Sequence, residues 1–377
     1  MVGLLNYPMK HNYLFISLFL FLIIGLSSCS DKDDDYVPIV EEPIEEPIEE
    51  SPVVLDLARV PYQTLSEYKL FEGDMKNQDP SLDVLPYEPI SQLFTDYAHK
   101  KRFIWMPKDV KATYNSDGKI LDFPTGTVLV KTFYYDNVLP SNTTKIIETR
   151  LLIKKADGWI FGEYVWNENQ TEATLQTTGS YVDLEWMEGA SLKSTTYRIP
   201  SEAECFTCHK SGLDVIPIGP KPQNLNSTYT YADGASNQLS KWVEMGYLDS
   251  NYPTDINTVV DWKDTSLDIG LRVRSYLDIN CAHCHQEGRY CDYRPMRFAF
   301  SESANPANLG ICVTPDQDLG NGLTQIVFPG RPQRSVLDFR INSTNESTRM
   351  PLLGRTLVHE EAAEMIEQWI TQLEGCD

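Results

Sequence analysis

The pattern C-x-x-C-H occurs twice in this chain, as Cys205-Phe206-Thr207-Cys208-His209 and as Cys281-Ala282-His283-Cys284-His285. Few five-residue patterns restrict a fold as much. Two thiols three residues apart lie on the same side of one turn, where each can add to a vinyl group of one porphyrin. The adjacent imidazole then reaches the iron. The pattern predicts two covalently attached c-type haems, with His209 and His285 as proximal iron ligands. A structural zinc site is the competing reading, because it also draws on Cys and His. Zinc does not require a His directly after the second Cys, and here that His is present both times. His283, inside the second pentad, is expected to aim away from the iron that His285 binds and to be a surface or supporting residue.

The segment around the second pentad predicts a class I cytochrome c domain over residues 263–377. Leu267 to Ile279 reads as a helix leading straight into Cys281, with Ile269, Val273, Tyr276 and Leu277 at helical spacing. Glu360 to Leu373 reads as a C-terminal helix, with Ala362, Ile366, Trp369, Ile370 and Leu373 on one stripe and Gly375 as a stop. Arg349-Met350-Pro351 precedes that helix, which makes Met350 the expected distal ligand opposite His285. A Met/His pair raises the reduction potential of the iron. The first haem segment, residues 201–262, has no comparable Met-Pro. Met245, in a helix predicted over Asn237 to Leu248, and His99, from the preceding region, are its candidate distal ligands. A five-coordinate iron is the third possibility.

Residues 56–200 read as mainly β. Thr127 to Tyr135, Lys145 to Lys155, Trp159 to Asn167 and Tyr181 to Met187 are rich in β-branched and aromatic residues, and Asp157-Gly158 is a hairpin signal. A helix is expected near Ser91 to His99. The fold class expected is α+β: an antiparallel β-rich N-terminal domain followed by a mainly α-helical cytochrome c region. Before it come a signal segment, residues 1–28, and a tether, residues 29–55. Leu14 to Leu26 is an apolar run too short for a comfortable membrane span. It ends in Leu26-Ser27-Ser28-Cys29, which is similar to the lipobox of bacterial lipoproteins, so Cys29 is expected to carry lipid. Ser30-Asp31-Lys32-Asp33-Asp34-Asp35 looks like the acidic signal that sends lipoproteins of the Bacteroidota to the outer face of the outer membrane. The repeat Glu41-Glu42-Pro43-Ile44, Glu45-Glu46-Pro47-Ile48 keeps the tether extended. In a polyproline II conformation of ~3.1 Å per residue it spans roughly 70 Å.

The chain has 377 residues and a formal net charge of −22. That charge argues against nucleic acid or anionic lipid as partners, since both need a basic face. It suits a redox partner protein with a basic docking patch, leaving the N-terminal lipid as the contact with membrane. Of the 8 Cys, one is assigned to lipid and four to haem. Cys291, Cys312 and Cys376 remain. An oxidising compartment favours pairing, and Cys291 with Cys312 is the preferred pair, with Cys376 able to compete for either.

Several stretches together resemble a group of bacterial dihaem c-type cytochromes with no assigned substrate. They are Leu93-Phe94-Thr95-Asp96-Tyr97, Phe123-Pro124-Thr125-Gly126-Thr127-Val128, Glu148-Thr149-Arg150-Leu151, Tyr164-Val165-Trp166-Asn167, Pro217-Ile218-Gly219-Pro220-Lys221, Asn224-Leu225-Asn226, Asn237-Gln238-Leu239 and Phe328-Pro329-Gly330-Arg331-Pro332. The resemblance runs from about residue 60 to the C-terminus. It implies the same layout, a β-rich region followed by two haem sites. The leading functional expectation is electron transfer at the cell envelope, by an outer-membrane lipoprotein facing either the outside of the cell or the periplasm. A dihaem peroxidase or oxidase with an open first haem is the enzymatic alternative. A binding or sensing module is the third.

Overall fold

The computed structural model describes residues 49–320 and 322–376. The signal segment, Cys29, the acidic hexad and all but the end of the tether lie outside the described residues. Residues Glu50–Asp377 form one compact unit. Among the described residues no helix is long and apolar enough to cross a membrane.

The chain opens with a short antiparallel pair, β1 (Phe71–Glu72) and β2 (Asp79–Pro80). The main sheet follows: β3 (Leu85–Pro86), β4 (His99–Trp105), β5 (Val128–Val138), β6 (Thr143–Lys155), β7 (Gly158–Trp166), β8 (Ala173–Leu175), β9 (Ser180–Glu188) and β10 (Ser191–Ile199). All its pairings are antiparallel, in the order β10-β9-β5-β6-β7-β8, with β4 also on β5 and β3 on β4. β5 is central and packed on both faces. Val128 and Val130 join one core with Phe103, Trp105, Leu151 and Ile153, while Leu129 faces a second core with Ile104 and Trp242. A strand buried on both sides needs apolar residues at consecutive positions, which is why this one reads as a run and not as an alternation.

The first pentad lies in α1 (Glu202–His209), followed by the hairpin β11 (Lys210–Ser211) and β12 (Asp214–Val215). Then come α2 (Pro222–Leu225), the hairpin β13 (Thr228–Tyr231) and β14 (Gly234–Asn237), and α3 (Gln238–Glu244), capped by the Asn237 side chain on the backbone of Leu239 and Ser240. α4 (Ile269–Asn280) runs into the second pentad, α5 (Val336–Asn342) follows, and α6 (Glu360–Gln372) closes the chain. Val273, Tyr276 and Leu277 of α4 share one core with Ile366, Trp369 and Ile370 of α6. The class is α+β, as expected.

Three local expectations need correction. Ser91 to His99 is not a helix. Asp96 and Tyr97 have φ of 44° and 64°, a left-handed conformation that ends any right-handed helix, and His99 already belongs to β4. The turn is held by packing: Phe94 stacks on His359 at 4.0 Å and Tyr97 meets the same ring edge-on at 5.9 Å. The helix predicted from Asn237 to Leu248 stops at Glu244, with Met245 as its cap. Val53 and Leu55, counted with the tether, pack on the core beneath β5, and Val54 donates a backbone hydrogen bond to Tyr68 at 3.0 Å.

The cysteine pairing also differs. The disulfide joins Cys312 to Cys376, and Cys291 is free. After α6 the tail returns past Gln325, bringing Cys376 to within 5.8 Å of Cys312 between Cα atoms, inside the span a disulfide bridges. Cys291 is instead drawn to the second pentad, where its backbone N–H donates to the Cys284 carbonyl at 3.0 Å.

Candidate functional site

Two cavities flank the pentads. The larger, of about 260 Å³, is lined by Cys281, Cys284, His285 and Met350. The smaller, of about 130 Å³, is lined by Cys205, Cys208 and His209 together with one face of the main sheet. Cys208, Asn280, His283, Pro351 and Leu353 line both, so the cavities share a wall.

His209 is fixed from two directions. The β11–β12 hairpin turns the chain back so that the Ile216 carbonyl accepts from the ring at Nδ1, at 2.7 Å, while the Ile216 N–H donates to the His209 carbonyl at 2.8 Å. Phe161 of β7 packs against the ring at 5.4 Å. Burial pushes the His209 pKa down to about 4, so the imidazole is neutral near pH 7. With its proton on Nδ1, the lone pair stays on Nε2 and is available to a metal. Cys205 is buried, its Sγ 3.8 Å from a Glu163 oxygen.

α4 delivers the second pentad: the N–H of Cys281 and that of Ala282 both donate to the Leu277 carbonyl, and those of Cys284 and His285 to the Cys281 carbonyl. His285 is buried and meets Phe298 edge-on at 5.2 Å. Burial holds it down to about 4 as well. Met350 lies on the wall of the same cavity, carried by the strap between α5 and α6. Two contacts fix its backbone. Its N–H donates to the Arg340 carbonyl at 3.0 Å, and its carbonyl accepts from Arg355 Nε at 3.0 Å and Nη2 at 2.8 Å. Arg355 is itself buried and also donates to the carbonyls of Leu357, Arg340 and Ser343. The strap is pinned to the sheet by Asp96, whose carboxylate accepts from the backbone of Thr356 and Leu357 and from the Thr356 hydroxyl.

The pentads meet. Cys208 Sγ, Cys284 Sγ and a ring nitrogen of His283 lie within 4.8 Å of one another, and Cys284 Sγ is 3.7 Å from the Thr207 carbonyl. Hydrogen bonding from the Cys284 thiol, with a lesser contribution from His283, holds Cys208 well below the ordinary thiol range. His283 is half-buried. It stands in the wall between the cavities with its Nδ1 buried and unpartnered among the described residues. Three donors can also hold a zinc or iron ion, although a structural zinc site closes with four.

Neither distal candidate for the first iron lies on the smaller cavity. Met245 packs on the Trp242 core, and His99 is mostly exposed, 3.8 Å from Asp136. Among apolar lining residues such as Leu129, Leu152 and Phe161, the cavity carries six charged ones, Arg102, Lys131, Arg150, Glu163, Arg198 and Glu204. Burial, followed by the charge of Glu148, pushes the Glu163 carboxyl up to about 8. The sequence held one signal for this stripe, a lysine inside the apolar run Val128-Leu129-Val130-Lys131. Arg355 and Asp96 gave no sequence signal of their role. Compared with protein-family models, with curated proteins and with solved structures, the chain finds no match.

Proposed function

We propose that this chain is a dihaem c-type cytochrome that passes electrons at the cell envelope. The observation that carries the reading is that Cys281, Cys284, His285 and Met350 line one cavity: two thiols for attachment, an imidazole and a thioether for the iron. The donors suit c-type haem on both sides. His209 keeps a free Nε2, and His285 is a buried neutral imidazole. The pairing of α4 with α6, the pentad at the end of α4 and the Met-bearing strap between α5 and α6 favour a class I cytochrome c arrangement for residues 263–377. Bound haem supplies a one-electron centre whose potential its axial ligands set. The protein's part is to hold the imidazoles, present Met350 and keep the two groups against a common wall. Cys208, His283 and Cys284 in that wall give electrons a short route from one site to the other.

The smaller cavity favours a second reading, a peroxidase or oxidase at the first site. It holds Glu163, a carboxyl that burial pushes up to about 8, beside Arg150. Neither Met245 nor His99 reaches it. One preparation tests both. Denaturing mass spectrometry of the mature protein is expected to retain two haems, and one after Cys205→Ala with Cys208→Ala. Low-temperature EPR of the oxidised protein then separates the readings. Two low-spin signals support electron transfer alone, whereas a high-spin signal lost with the double Ala variant supports the open first iron. Zinc and no haem, in protein made with active cytochrome c maturation, would end both.

The lipobox-like Leu26-Ser27-Ser28-Cys29 and the acidic hexad support an outer-membrane lipoprotein, and a net charge of −22 supports a redox partner with a basic docking patch. Protease added to intact cells is expected to remove a surface-displayed protein. Replacing Asp33, Asp34 and Asp35 by Ala should protect it without releasing it from the membrane. Equal sensitivity of the two forms would count against surface export.

A further inference from the structure

Arg102, Lys131, Arg150 and Glu163 form a row across four neighbouring strands, in register Arg102↔Lys131, Lys131↔Arg150 and Arg150↔Glu163. Residues two apart on a strand share a face. The adjacent row on this face, Ile104, Leu129, Leu152 and Phe161, is apolar, and the row on the other side holds Lys100, Phe133, Glu148 and Val165. The charged row lines the cavity of the first pentad.

Its charge does not balance. Three cations surround the Phe133 ring: Arg150 at 4.5 Å, Lys131 at 4.9 Å and Lys100 at 5.8 Å from the centroid. Glu148 neutralises Arg150 through a two-pronged bond of 2.9 and 2.5 Å, and Lys100 donates to the Ala98 carbonyl at 2.7 Å. Arg102 is only 6 % exposed, and its Nη1 has no partner. Among the described residues no carboxylate pairs with Arg102 or Lys131. Burial, and then the like charge of Arg102, hold the Lys131 amine well below its ordinary range. Arg102 is a buried cation left without a carboxylate, and half-buried Lys131 stands next to it on the same cavity. An anion placed there would offset the cost of burying that charge and bring the amine back toward its charged form. Such an occupant must also suit the apolar row next to them, which calls for a flat apolar body with acidic groups along one edge.

We infer that Arg102 and Lys131 receive the two propionate carboxylates of the haem on the first pentad and raise its reduction potential. The inference rests on the haem reading above. A guanidinium can grip a carboxylate with two parallel bonds, and a lysine serves as a point charge. Positive charge beside the iron favours the reduced form, which carries one positive charge fewer.

The test is a spectroelectrochemical titration of the full holoprotein at several pH values, with covalent haem followed by mass. The first haem is identified as the one missing from the Cys205→Ala, Cys208→Ala protein. Lys131→Met and Arg102→Gln are each expected to lower the potential of that haem. They should also make it pH-dependent, as an unpaired propionate begins to titrate. The second haem should not move, and Lys131→Arg should behave as wild type. If both charge-removing variants leave the first potential and its pH profile unchanged in a two-haem protein, the inference is wrong while the dihaem reading stands. If Lys131→Arg falls as far as Lys131→Met, the amine itself is required and the carboxylate pairing is overturned. A wild-type protein without haem removes the underlying reading, and this one with it.

Discussion

Replacing Met350 by Ala is expected to abolish the weak far-red charge-transfer band of the oxidised protein and to lower the potential of one haem, with both haems still attached. The thioether favours ferrous iron, so its loss lowers the potential. The shift expected is on the order of 0.1 V, a modest part of the ~0.8 V over which axial ligands set haem potentials. Met350 is the residue to change because its backbone is held on both sides, by the Arg340 carbonyl and by Arg355. A side chain on a pinned strap loses little freedom on binding. Met350→His should give a low-spin iron of lower potential still. Met245→Ala is the control: Met245 packs on the Trp242 core and not on either cavity, so neither band nor potential should change. If Met350→Ala keeps the band and Met245→Ala removes it, the class I reading of residues 263–377 fails.

What could be read from sequence was whatever depends on short spacing. The pentads, the hairpin at Asp157-Gly158 and the frames of α4 and α6 all repeat within a few residues, and the strands β5, β6, β7 and β9 were placed to within about three residues. What was missed depends on distant parts of the chain. The turn at Asp96 and Tyr97 looked helical because its left-handed backbone is stabilised by residues some 260 positions away. The pairing of Cys312 with Cys376 spans 64 residues. The contact between the pentads joins residues more than 70 positions apart, and nothing in either pentad announces it. The charged stripe is intermediate: Lys131 is conspicuous inside an apolar strand, but its neighbours Arg102 and Arg150 become neighbours only through strand register.

Asp96→Ala is expected to cost about 3–5 kcal/mol of stability, because it strips the acceptor from several buried donors at once. The carboxylate is 2 % exposed. It accepts from Thr356 N–H at 2.7 and 2.9 Å, from the Thr356 hydroxyl at 2.9 Å and from Leu357 N–H at 2.8 Å. Alanine leaves those backbone donors facing a small apolar void, at about 1–3 kcal/mol for each one unsatisfied. Asn keeps one oxygen but turns an N–H₂ toward groups that also donate, so Asp96→Asn should fall between wild type and Ala. Urea unfolding followed by near-ultraviolet circular dichroism measures both, and a loss below about 1 kcal/mol for Ala would mean that the strap does not depend on this carboxylate. The same bonds tie the sheet to the segment that carries Met350, only six residues before Thr356. Loosening them should therefore release the thioether before the fold is lost. In Asp96→Ala the far-red band is expected to disappear at a lower urea concentration than the circular dichroism signal, whereas in the wild type the two should vanish together.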